Sequence, residues 1–145
     1  MVFVGFKGKN NSSSMLDESM PYPGYLLTNS FEGLKKDIEK MPLYCDNVYL
    51  FGVDKTLKDS LRIEQAAEKD GISLISKLDL TSISQKFSSV GIVSTKYANP
   101  TRYLCNEAYF YLLQKYNGNA VLIHIPTIKY FDEKLATLIR KSIDM

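Results

Sequence analysis

Two side chains in this sequence could do nucleophilic chemistry together: the thiol of Cys105 and the imidazole of His124, the sole histidine. A thiol attacks carbonyls only as thiolate, and a free cysteine with a pKa of about 8.5 is mostly protonated at neutral pH. The first turn of a helix favours the thiolate, because unpaired backbone N–H groups and the macrodipole stabilise negative charge. Cys105 meets that condition if its helix starts near Thr101 or Arg102. An imidazole within reach would accept the thiol proton and later protonate a leaving amine. A third group should orient the ring, and Glu64, Glu68, Asp54 and Asp59 are all candidates by position. The structural alternative is that Cys105 is a buried apolar residue, the commonest fate of cysteine, and that His124 merely ends a strand. Cys45, in Pro42-Leu-Tyr-Cys-Asp46, carries no assigned role.

The elements that must position this pair follow from hydrophobic periodicity. Val2 to Phe6, Asn47 to Val53, Val90 to Ser94 and Ala120 to His124 are apolar runs suited to strands buried on both faces. Tyr25 to Thr28 is a further short strand. Leu61 to Ala67 and Ile72 to Ile75 are extended, with Asp70-Gly71 as a turn between them. Ser12, Ser13 or Ser14 can cap a short helix through Met15 and Leu16. Asn29 or Ser30 caps a helix whose apolar face is Phe31, Leu34, Ile38 and Met41. A short helix is expected over Ser82 to Phe87. Asn99 with Pro100 opens the helix bearing Cys105, and Gly118 closes it. Phe131 to Ile143 is a last amphipathic helix, with Leu135, Leu138 and Ile139 inward.

Strands alternating with helices predict an α/β fold, a three-layer αβα sandwich with a largely parallel, mixed central sheet. Residues 1–145 are expected to form a single domain. Ligands bind beyond the carboxyl ends of strands in such sheets, where Phe6, Gly52, Ser94 and His124 are expected to lie.

The composition narrows the function classes. With a net charge of +2 and no Lys/Arg run longer than two residues, neither a nucleic-acid surface nor a polybasic membrane surface is indicated. The opening M-V-F-V-G-F-K-G is too short an apolar run for a signal peptide, so a cytoplasmic protein with free thiols is expected. One histidine and two separated cysteines offer no metal-ligand cluster. The stretch G-F-K-G-K-N-N-S lacks a phosphate-binding pattern.

Tyr103-Leu104-Cys105-Asn106 followed by Leu122-Ile123-His124-Ile125-Pro126 resembles the pyroglutamyl-peptidase I (pyrrolidone-carboxylate peptidase) family. These cysteine peptidases remove N-terminal pyroglutamate. They carry A-G-x-Y-x-C-N around the nucleophile and F-I-H-V-P around the histidine, with a serine-ended strand before them that Val90 to Ser94 matches. Val4-Gly5-Phe6 with Asn11-Ser12-Ser13 is similar to the family's T-G-F-x-P-F-G-G…N-P-S opening. Val48 to Gly52, then Leu61-Arg62-Ile63-Glu64-Gln65-Ala66-Ala67, resembles its glycine-ended strand and its I-x-x-E-R-V-A segment.

The resemblance implies a pyroglutamyl-peptidase/phosphorylase-like fold, with Cys105 as nucleophile, His124 as base and later acid, and Glu64 orienting the imidazole. It also implies Phe6 in a lactam pocket and the backbone N–H of Cys105 as an oxyanion donor. The chain departs from the pattern too. Pro100-Thr101 replaces Ala-Gly before the tyrosine, Lys7 to Asn10 lacks the second Phe and the paired glycines, and Val53 to Thr56 lacks the double glycine and Arg. Ser73-Leu74-Ile75 stands where the family has A-R-I-P, and the chain is shorter, with the loss in loops.

The expectation is therefore a shortened, diverged thiol peptidase or amidohydrolase of the omega-peptidase type, acting on an N-terminal pyroglutamyl or similar small amide. A small peptide or amide is its implied partner, with no cofactor and no metal, and a homo-oligomer is compatible with it. The rival is a catalytically inactive binding or assembly module that keeps the fold.

Overall fold

The computed structural model describes residues 1–101 and 103–145, so Arg102 lies outside the described residues. Six of the apolar and alternating runs become the strands of one six-stranded sheet, two of them at its edges. In chain order its strands are β1 (Val2–Phe6), β2 (Gly24–Leu27), β3 (Val48–Val53), β4 (Ser60–Glu64), β7 (Val93–Tyr97) and β8 (Ala120–Ile125). Their spatial order is β2-β1-β3-β8-β4-β7, parallel throughout except that β4 runs antiparallel to β8. Two further strands, β5 (Ala66–Lys69) and β6 (Ile72–Ile75), form a separate antiparallel hairpin. Asp70 and Gly71 at its tip both have positive φ, 52° and 77°, as a type I′ turn requires.

Helices α1 (Ser12–Ser19), α2 (Phe31–Glu39), α3 (Leu80–Ser89), α4 (Leu104–Lys115) and α5 (Glu133–Ile143) fill the connections. The period-2 alternation of the strands sorts them into two cores. Val4, Leu50 and Leu122 face α2 and α4, where they meet Leu34, Ile38, Ala108, Tyr109 and Leu112. Phe3, Phe51, Ile63 and Ile123 face the other way, onto Leu16 of α1, Phe87 of α3 and Ile139 of α5. The expected three-layer αβα sandwich with a mixed sheet is the observed architecture. No helix among the described residues is long and apolar enough to cross a membrane.

Four local expectations need correction. Asn11, not a serine, caps α1: its carbonyl oxygen takes the Ser13 N–H at 2.8 Å, and the Ser13 hydroxyl accepts from Phe6 N–H instead. Phe31 is 53 % exposed and does not join the buried face of α2. Helix α3 extends past both ends of Ser82 to Phe87, because Asp79 caps it through the Ser82 N–H. Its last turn runs into Val90 and Gly91, and Gly91 takes φ 85°. The following strand thus begins only at Val93 and is the exposed sheet edge rather than a buried one. Ser94 sits near its start and pairs its hydroxyl with Ser84 at 2.8 Å, far from the carboxyl end.

Candidate functional site

Strand register brings the site together. Gly52 of β3 lies beside His124 of β8, and His124 lies beside Arg62 of β4, so these three residues form a lateral row across the sheet. All three share the face that packs against α4. Because β4 runs antiparallel to β8, its chain direction carries Glu64 inward from the row, next to Leu122. Glu64 is completely buried as a result. A parallel strand would have pushed a residue two positions after Arg62 toward solvent.

Helix α4 supplies the thiol. It starts at Leu104 rather than after Asn99-Pro100, so Cys105 is its second residue and Tyr103 its N-cap. Tyr103 has φ 80° and ψ −164°, a region almost reserved for glycine and costing about 1–3 kcal/mol for other residues. The surrounding structure pins this strained elbow. The Asn106 side chain accepts from Glu68 N–H at 3.0 Å and donates to Glu68 O at 2.8 Å, as though it were another strand beside β5. Lys69 and Glu107 form an ion pair at 2.8 Å, and the Tyr109 hydroxyl donates to Glu64 O at 2.8 Å. The first turn of α4 is thus fastened to the hairpin that follows Glu64.

The absent side chain of Gly52 leaves room for both Cys105 and His124 over the β3 backbone. A methyl group on Gly52 would lie 2.7 Å from Cys105 Sγ and 3.4 Å from His124 Nε2. Sulfur and ring nitrogen therefore flank the same point above the β3 backbone. On the far side of the ring, His124 Nδ1 is 3.1 Å from Glu64 Oε1. With Nδ1 donating to that carboxylate, Nε2 turns its lone pair toward the thiol side.

Arg62 forms part of the same cluster. Its Nε donates to Glu64 Oε1 at 2.6 Å and its second terminal nitrogen lies 3.3 Å from His124 Nδ1. The remaining terminal nitrogen pairs with Asp54 Oδ2 at 2.6 Å, and the guanidinium stacks over the Tyr97 ring at 5.2 Å. Asp54 Oδ1 accepts from the N–H and hydroxyl of Thr56. Burial works against ionisation of Asp54, but the Thr56 bonds and then Arg62 outweigh it and hold the carboxyl below its usual range.

The electrostatics of the thiol oppose the simple helix-end expectation. Burial, followed by the Glu64 carboxylate, pushes the Cys105 thiol up to about 11; Asp54 acts in the same direction and Arg62 against it. A helix N-terminus contributes typically 0.3–1 kcal/mol, less than one pKa unit, so desolvation and two carboxylates prevail. The resting thiol is protonated and must give up its proton as it reacts.

Cys105 and His124 line a cavity of about 550 Å³ together with Val53, Asp54, Lys55, Arg62, Thr101, Tyr103 and Leu104. It opens beyond the carboxyl ends of β3 and β8. The Thr101 hydroxyl is buried without a partner among the described residues. Glu107 N–H bonds to Tyr103 O, so the N–H groups of Leu104, Cys105 and Asn106 lie in the first turn of α4, the end of a helix that favours negative charge. Phe6 is buried in the core on the same side of the sheet and does not line this cavity.

The structure thus gathers Cys105, His124 and Glu64, and leaves Glu68 and Phe6 outside the cluster. Sequence reasoning passed over Arg62, Asn106 and the role of Gly52. Arg62 had a legible signal: two positions before Glu64 in an extended run, it must share that residue's face.

No protein-family model and no curated protein sequence matches the chain. Solved structures do. The pyrrolidone carboxyl peptidase from Thermococcus litoralis superimposes with a TM-score of 0.80 at 16% identity, over 99% of this chain and 90% of that one. The pyrrolidone carboxyl peptidase from Thermus thermophilus gives 0.76 at 17% identity, over 99% of both chains. The pyroglutamyl peptidase I from Bacillus amyloliquefaciens gives 0.74 at 14% identity, over 99% and 90%. At such identity the likeness speaks to architecture, and on it the chain has the fold of the pyrrolidone carboxyl peptidases.

Proposed function

We propose that this protein is a thiol amidohydrolase that cleaves a small N-terminal amide, with pyroglutamyl as the first acyl group to test. The observation that carries the reading is the convergence of Cys105 Sγ and His124 Nε2 over Gly52, with Glu64 sealed against Nδ1. The likeness in fold to pyrrolidone carboxyl peptidases supports it. In this reading Cys105 Sγ attacks the amide carbonyl while its proton passes to His124 Nε2. The new C–S bond leaves an oxyanion, which the backbone N–H of Cys105 stabilises. Collapse breaks the C–N bond, and the proton on Nε2 leaves with the amine. Water, deprotonated by Nε2, then attacks the thioester and restores the thiol. Glu64 keeps the ring in the productive tautomer and offsets the charge that the imidazole gains.

Phe6 belongs to the core on this side of the sheet in this scheme rather than touching the acyl group. Selectivity then falls to Thr101, Tyr103 and Val53, the polar and apolar groups that share the cavity with the thiol.

The test is release of fluorescent amine from pyroglutamyl-aminomethylcoumarin, compared with the Cys105→Ala variant. Turnover that vanishes in that variant supports the reading. Release no faster than from the variant, even at high enzyme concentration, refutes it for this acyl group. A single observation favours a second reading, a non-catalytic binding module: the thiol stands at about 11 in the resting site. In that case Cys105 resists alkylation at neutral pH and no small amide is turned over.

A further inference from the structure

We propose that Arg62 is a positioning residue of this site: its guanidinium bridges Asp54 and Glu64, fixes the Glu64 carboxylate against His124 Nδ1, and neutralises both carboxylates beside the Cys105 thiol. The proposal deepens the thiol-amidohydrolase reading and can fail separately from it.

Geometry is the first support. The Arg62 fork uses its three nitrogens on three targets: Glu64 Oε1 at 2.6 Å, Asp54 Oδ2 at 2.6 Å and His124 Nδ1 at 3.3 Å. The two short contacts are charge-assisted bonds; the third brings a donor beside the protonated Nδ1 and is a close approach rather than a hydrogen bond. Glu64 Oε1 therefore sits between the Arg62 Nε–H and the His124 Nδ1–H, and accepts from both. The other oxygen, Oε2, is buried with no partner among the described residues, so Oε1 alone sets the carboxylate's orientation. Without Arg62, the carboxylate is free to rotate about its last bond and can offer either oxygen to the ring.

Charge is the second support. A fully buried carboxylate is costly unless it is paired, and Arg62 is the only cation paired with Glu64 among the described residues apart from His124 itself. Among the described residues, the charged and titratable groups around the thiol are Glu64 and Arg62 from β4, Asp54 and Lys55 from the loop after β3, His124 from β8, and Tyr103 at the N-cap of α4. Glu64 and Asp54 both disfavour the thiolate, and Arg62 favours it while binding both of them. The Tyr97 ring lies 5.2 Å from the guanidinium and adds a cation–π contact on one face. Lysine cannot reproduce the bridge between the two carboxylates, because its ammonium is a single point of charge.

The test is the rate at which iodoacetamide alkylates the full chain at about pH 8, read by mass on the peptide bearing Cys105. Below the thiol's midpoint that rate follows the thiolate fraction, so one pKa unit is tenfold. Arg62→Gln is expected to slow alkylation roughly tenfold. Adding Asp54→Asn to it should recover part of the loss, and Arg62→Lys should recover most. In an enzyme that turns over, Arg62→Lys still lowers kcat, because the Glu64 orientation is lost while the charge is kept. If Arg62→Gln does not fold, Asp54→Asn alone decides the matter, since removing that carboxylate should speed alkylation severalfold. Wild-type alkylation in Arg62→Gln, or no gain in Asp54→Asn, overturns the proposal. Alkylation needs no amide substrate, so a protein without turnover sinks the amidohydrolase reading and leaves this test intact.

Discussion

Replacing Gly52 by alanine probes the site with one carbon atom. The new Cβ would stand 2.7 Å from Cys105 Sγ and 3.2 Å from His124 Cδ2. Ordinary contact between such atoms is about 3.5–4.0 Å, so the sulfur must retreat by roughly 1 Å or rotate away from the ring. A displacement of that size between reacting groups can cost about 100-fold in rate. The fold should tolerate the change, because Gly52 is not in the left-handed region and the clashing atoms are side-chain ends. Overpacking of this kind costs about 1 kcal/mol. Gly5→Ala is the contrasting variant: its Cβ would lie 2.7 Å from the backbone oxygen of Ser13, which cannot move without shifting α1. The assay is steady-state release of amine from the pyroglutamyl-coumarin substrate, alongside thermal unfolding of both variants. Gly52→Ala should lose about two orders of magnitude in kcat with a small change in Tm, and Gly5→Ala should chiefly lower Tm. A Gly52→Ala enzyme within a few-fold of wild type would refute the placement of sulfur and imidazole over this residue.

Three further outcomes are expected. Burial, with Glu18 adding to it, raises the Asp17 carboxyl to about 7, above its unfolded value of 3.8. The folded state therefore binds the extra proton between those values, so the contribution of Asp17 to stability is full below about pH 4 and is lost as pH rises through 7, by roughly 2–4 kcal/mol. The urea midpoint of the wild type relative to Asp17→Asn should fall across that range; equal slopes would remove Asp17 as the cause. Lys115 Nζ donates to the carbonyls of Ile38 at 2.7 Å and Met41 at 2.8 Å, closing the end of α2. Lys115→Met should destabilise the protein by about 1–3 kcal/mol in denaturant titrations, and an unchanged midpoint would show the cap to be idle. Glu64→Gln should lower kcat by about 10²–10⁴ with little change in KM, because the amide no longer offsets the imidazolium. A pure KM effect would place Glu64 in substrate binding instead.

Much of the architecture was legible because burial imposes periodicity. Val2 to Phe6, Val48 to Val53 and Ala120 to Ile125 are central strands covered on both faces, and such strands cannot avoid being apolar throughout. The elements that were misjudged lie at edges. Val90 to Val93 is apolar enough for a core strand, yet Gly91 takes the positive φ that closes α3 and the strand that follows is largely exposed. Helix α4 begins later than Asn99-Pro100 suggests. Asn99-Pro100 has the chemistry of a helix start, but the contacts of Asn106 and Glu107 with the β5–β6 hairpin set the first turn at Leu104.

The chemical character of the candidate site can be read from the sequence alone: a cysteine entering a helix, a lone histidine near the end of a buried strand, and several carboxylates upstream of both in the chain. Those identities rest on side-chain chemistry, which no fold can supply. Which carboxylate meets the ring was decided only by tertiary structure, since β4 enters the sheet antiparallel and carries Glu64 inward beneath His124. Tertiary structure also decided the sign of the thiol's shift. A helix end acts over one turn and is visible in sequence, whereas desolvation and the fields of Glu64, Asp54 and Arg62 exist only once distant segments have packed together.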